Sequence, residues 1–127
     1  MVKKQVIIIV REFIEKVVES GINIDKAYLY GSYAYGVPGS DSDIDVLLVG
    51  EKFDQGFDND AGEIWLLSKS VHDRIEPYMV GTKKFSSDFV SPLLLVVREK
   101  GLQISFSMSN RKYFHLFKKG IEVLHCS

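Results

Sequence analysis

Residues 43–49 read Asp-Ile-Asp-Val-Leu-Leu-Val and alternate as a strand does. Ile44, Val46 and Leu48 leave one face; Asp43, Asp45, Leu47 and Val49 leave the other. A lone strand is not stable in water, so the rest of the chain must supply its neighbours and its cover. Residues 26–30 alternate too, with Ala27 and Leu29 against Tyr28 and Tyr30, and the run ends at Gly31-Ser32. Residues 74–80 read as a third strand, and Leu102, Ile104 and Phe106 alternate as a short final one.

Helices fall between these strands. In residues 6–19, Val6, Val10, Phe13, Ile14 and Val17 form one stripe, with Glu12, Glu15, Lys16 and Glu19 largely opposite. Gly21 marks the stop. A loop or short helix spans 32–42. Residues 51–60 are turn-rich, and 61–71 are helical because Ile64, Leu67, Ser68 and Val71 share a face. Ser91 suits an N-cap, Pro92 a first helical position and Gly101 a stop. A last helix is expected at 109–119, closed by Lys118, Lys119 and Gly120. The alternation of helix and strand predicts an α/β sandwich on a small mixed sheet, one domain over 1–127.

Composition bounds the function. With 46% apolar residues the chain can build a core. Sixteen basic against 17 acidic residues leave no footprint for broad nucleic-acid binding. The single cysteine, Cys126, allows no internal disulfide and suits a cytoplasmic protein. The apolar run 6–10 after Lys3 and Lys4 is cut short by Arg11 and Glu12, so it is not read as a signal peptide, and no stretch is long enough to span a membrane.

The chemistry concentrates in 31–45. Asp43 and Asp45, two apart on one strand, place two carboxylates on one face, where they repel unless a cation lies between them. Hard oxygen ligands suit magnesium, which keeps open positions for waters and phosphates. Two such ions about 3.5–4 Å apart stabilise both oxygens of an in-line displacement. The third acid is expected at Glu76, in Arg74-Ile75-Glu76-Pro77-Tyr78, provided that strand lies beside the first. There it also serves as a general base. Pro77 removes an amide donor and suits an edge strand. Gly31 lets a backbone approach an anion closely, and the Ser32 hydroxyl adds a donor.

Gly31-Ser32, ten residues, then Asp43-Ile44-Asp45 resembles the DNA polymerase β nucleotidyltransferase superfamily, and within it the minimal nucleotidyltransferases of prokaryotes. The likeness covers roughly 6–104; the segment Arg-Ile-Glu-Pro and the pair Asp88-Phe89 add weaker signals, and 107–127 match nothing comparable. The resemblance implies a nucleotidyltransferase fold, with a nucleoside triphosphate held at Gly31 and Ser32. It also implies magnesium at Asp43 and Asp45, with Glu76 as the third acid, where many relatives carry aspartate. It implies transfer of AMP from ATP to a hydroxyl. It implies, too, a helical partner, the higher-eukaryote-and-prokaryote nucleotide-binding (HEPN) domain, beside which such chains act as antitoxins.

Blander readings stand alongside. Asp41 caps a turn. Glu76 is a surface residue paired with Arg74. Tyr33 and Tyr35 either stack on a base or pack on the sheet. Trp65 is core or interface. His72, His115 and His125 lack zinc spacing. Lys52, Lys69, Arg74, Lys83 and Lys84 are solvent-facing charges. The competing functions are a weak nucleotide-binding module and a partner-binding module, the latter marked by an apolar patch on the helix after Pro92 or on the C-terminal helix. A homo-oligomer is compatible with either.

Overall fold

A computed structural model describes residues 3–55 and 59–107. The expected helix at 109–119, with His115, His125 and Cys126, lies outside the described residues. Strand 43–49 proves to be the buried centre of the sheet. It runs from Ile44 to Gly50 (β2), so Asp43 sits one residue before it. Beside it lie β1 (Lys26–Tyr30), β3 (Ile75–Gly81) and the short β4 (Leu102–Gln103). The order across the sheet is β3-β2-β1-β4. β1 is antiparallel to β2 and β4, whereas β2 and β3 are parallel. Pro77 therefore lies on an edge strand, as its missing amide requires.

The two faces of β2 carry two cores. Ile44, Val46 and Leu48 join Val6, Val10, Phe13, Ile14 and Val17 of α1 (Lys3–Glu19), and Ile64 of α3 (Asn59–Val71). Leu47 and Val49 join Val80, Phe85 of α4 (Thr82–Ser87), and Leu94 and Val97 of α5 (Pro92–Lys100). Helices thus cover both faces, and each buried aliphatic side chain stabilises the fold by about 1.5–3 kcal/mol. Ser68, fully buried among them, donates its hydroxyl to the Trp65 carbonyl at 2.6 Å. Trp65 itself is 45% exposed and is not a core residue.

Several local reasons differ from the sequence reading. The α5 helix starts at Pro92 as expected, but the Ser91 side chain makes no cap bond. Instead Asp88 Oδ1 accepts the amides of Val90 (2.8 Å) and Ser91 (2.9 Å). Gly101 ends the helix with an ordinary φ of −66°. Its small size is what matters, because a Cβ there would meet the Val97 carbonyl at 2.6 Å. The final strand is only two residues, although the Ile104 amide still donates to the Ala27 carbonyl at 2.9 Å.

Two elements escaped the sequence pattern, a 3-10 turn at Glu51–Gln55 and α4. They are linked: Asp54 accepts the amides of Lys83 (2.9 Å) and Lys84 (3.3 Å), supplying from a distance the cap that α4 lacks. No described helix is long and apolar enough to cross a membrane.

Candidate active site

The register of the sheet assembles the site. Tyr30 of β1 is opposite Asp45 of β2, and Asp45 is opposite Glu76 of β3. The three form a row across the face that also carries Leu47 and Val49. The next row on that face is Tyr28, Leu47 and Tyr78. The condition set on Glu76, that its strand lie beside β2, is met.

β1 ends directly beneath this row. Gly31 follows it with φ +76° and ψ −154°, a conformation essentially reserved for glycine. A Cβ at Gly31 would stand 2.2 Å from Asp45 Oδ2. The backbone here is pressed against the carboxylate, which fixes both the residue type and the conformation. A single helical turn, α2 (Ser32–Tyr35), follows, its amides at Ala34 and Tyr35 bonding back to the Gly31 carbonyl at 3.0 and 3.1 Å. Ser32 thus opens that turn beside Asp45.

The loop back to β2 is clamped by Arg74, whose guanidinium donates to the Asp41 carbonyl (2.9 Å) and carboxylate (3.0 Å). The Gly39 amide donates to Ser42 Oγ at 2.8 Å. Asp41 is thus an anchor for the loop, and Arg74 pairs with it rather than with Glu76. Tyr33 packs into the core, whereas Tyr35 is 43% exposed. Lys52 pairs with Asp60 at 2.7 Å, and His72 Nδ1 accepts the Arg74 amide at 3.0 Å.

Burial, then the charges of Asp43 and Glu76, push the Asp45 carboxyl up to about 6. Tyr30 is pushed up to about 12, first by burial and then by Asp45, Tyr78, Tyr35 and Glu76. Its hydroxyl stays protonated and remains a donor. Among the described residues, neither Asp43 nor Asp45 has an ion-pair partner. The donor chemistry fits a hard divalent cation: oxygen only, net negative and uncompensated. The geometry is not closed, however, for among the described residues no three carboxylate, imidazole or thiol groups stand ready to hold an ion. Glu76 faces a cation of its own. Its Oε1 lies 3.9 Å from the Lys69 ammonium, a residue that sequence reading left among the solvent-facing charges. The i+4 step from Trp65 to Lys69 on α3 was the available signal.

The family model described as nucleotidyltransferase domain matches residues 10–113. Two solved structures share the fold. One is a Sulfolobus solfataricus protein described as a nucleotidyltransferase, 19% identical over 66% of this chain and 74% of that one, with a TM-score of 0.50. The other is a toxin-antitoxin structure with AMP-PNP, 23% identical over 87% of this chain and 84% of that one, with a TM-score of 0.52. Comparison with curated proteins gives no match.

Proposed function

The chain belongs to the nucleotidyltransferase domain family, and from that premise we propose that it moves AMP from ATP, with magnesium, onto a hydroxyl of a protein or small molecule. The observation that carries this reading is the row Tyr30, Asp45 and Glu76, with Gly31 pressed onto Asp45 Oδ2 and Asp43 charging the same point. Three acids of this kind have no structural task that apolar residues would not perform better.

Asp43 and Asp45 would hold the metal, with Glu76 joining them. When bound, magnesium neutralises charge on the phosphates and on the reacting oxygens. Gly31 brings its backbone to the triphosphate beside Asp45, and the Ser32 hydroxyl donates to it. Glu76 accepts the proton of the attacking hydroxyl. The new bond forms between that oxygen and the α-phosphorus, the bond to the β-phosphate oxygen breaks, and pyrophosphate leaves. Tyr30 keeps its proton beside the acids and stays available there as a donor.

The likeness in fold to a toxin-antitoxin structure with AMP-PNP supports an antitoxin role; the helical HEPN protein as partner and acceptor rests on the sequence resemblance. A second reading, a module that masks a partner, draws on exposed apolar residues before and on α5: Phe89, Val90, Leu95 and Val96. The two are compatible. Calorimetry of ATP binding with and without magnesium tests the first. Binding only with magnesium, lost in Asp43→Asn/Asp45→Asn, is the expected result. If the wild-type chain binds none of the four nucleoside triphosphates, the transferase reading falls and the masking module takes its place.

A further inference from the structure

Lys69 is held at four points. Its ammonium donates to the carbonyls of Asp73 (3.2 Å) and Ile75, faces Glu76 Oε1 at 3.9 Å, and sits over the Trp65 ring at 3.9 Å from the centroid. The two carbonyls fix it independently of Glu76. The Ile44 amide takes the Arg74 carbonyl at 2.8 Å, so the alternation of the ladder turns Ile75 outward, to the edge of β3 that no described strand covers. Lys69 is thus a fixed positive post on that edge, one residue from the third acid.

We propose that Lys69 is a positioning residue that parks the Glu76 carboxylate at the edge of β3 and yields it to Asp43 and Asp45 when a magnesium nucleotide binds. This rests on the function proposed above. Three features carry it. Asp45 and Glu76 are register partners, so their backbones are about 4.8 Å apart. From that spacing a glutamate side chain reaches either the edge or the acid pair, whereas the shorter aspartate reaches only what it faces. The Lys69–Glu76 contact is long and its carboxylate is 45% exposed, so it is weak enough to exchange. In the resting chain, repulsion from Asp43 and Asp45 favours the parked position; a cation between the acids reverses that preference.

Trp65 is the only tryptophan of the chain and carries the ammonium on its ring face, so withdrawal of the Glu76 charge from an ammonium that stays in place changes the field at the indole and reports the exchange. The experiment titrates the full chain with magnesium chloride in the presence of AMP-PNP, reading Trp65 emission and calorimetric heat in parallel. Emission is expected to change with the same half-saturation as the heat. In Lys69→Met the half-saturating magnesium should fall about two- to fivefold, as loss of an exposed ion pair allows, and emission should stay flat. Lys69→Arg should keep the wild-type behaviour. Calorimetric binding with flat wild-type emission overturns the positioning role and leaves the transferase reading intact. So does an unchanged half-saturation in Lys69→Met. Absence of any wild-type heat overturns both. The wild-type titration decides the matter even if Lys69→Met does not fold.

Discussion

Replacing Asp45 by asparagine should make the protein more stable while abolishing its chemistry. Asp45 has a carboxyl raised from 3.8 to about 6. The folded state therefore holds that proton more tightly than the unfolded chain does. Its contribution to stability is fully present below the unfolded value of 3.8 and is lost as pH rises through about 6. Above that, the folded state carries a charge it disfavours. Two pH units at ~1.4 kcal/mol each set a ceiling near ~3 kcal/mol. Asp45 is partly exposed to water, and screening brings the expected gain to ~1 kcal/mol at neutral pH. That corresponds to a melting temperature higher by about 3–5 °C for a domain of this size. The assay is urea unfolding of wild type and Asp45→Asn in chelator, at half-unit steps from pH 4 to 8. The two curves should meet near pH 4 and diverge up to pH 7. Added magnesium should raise the wild type alone. A variant no more stable than wild type at pH 7, or a gap that does not vary with pH, refutes the electrostatic account.

Gly31→Ala places a methyl 2.2 Å from Asp45 Oδ2 in a backbone region closed to alanine. It should destabilise by about 1–3 kcal/mol and weaken magnesium-dependent ATP binding, read by calorimetry. Glu76→Gln should slow AMP transfer by about 10²-fold or more in single-turnover assays, with ATP affinity changed far less. Asp54→Ala removes the acceptor for the Lys83 and Lys84 amides and should lower stability by about 1 kcal/mol in urea unfolding, without affecting nucleotide binding. Leu48→Ala, at a fully buried position on β2, should lower it by about 2–5 kcal/mol.

The sequence pattern made β2 legible because its alternation is imposed by two cores at once, and period-two burial survives any detail of packing. The stripe of α1 was legible for the same reason, all five of its expected residues being fully buried. Pro77 announced an edge through a missing donor, which no tertiary context can restore. What stayed hidden depends on partners distant along the chain. The α4 helix has no apolar periodicity of its own, and its first amides are satisfied by Asp54, about 30 residues earlier. Arg74 was read against Glu76, its neighbour by spacing, yet the loop brings Asp41 to it from 33 residues away. At the site, the row of Tyr30, Asp45 and Glu76 needed the strand order and direction, which single-strand patterns do not carry. Lys69 was missed because its charge is spent on backbone carbonyls and a ring face rather than on solvent.

The outer edge of β3, which pairs with no described strand, has a consequence for self-association. An exposed sheet edge offers a template on which further copies can add strands. On β3 the outward positions that flank Glu76 are Ile75 and Pro77: the first has its carbonyl taken by the Lys69 ammonium, and the second has no amide to offer. An incoming strand therefore meets an acceptor already engaged at Ile75 and no donor at Pro77, on either side of Glu76. Among the described residues, Glu76 thus lies beside the stretch of that edge least able to template a further strand.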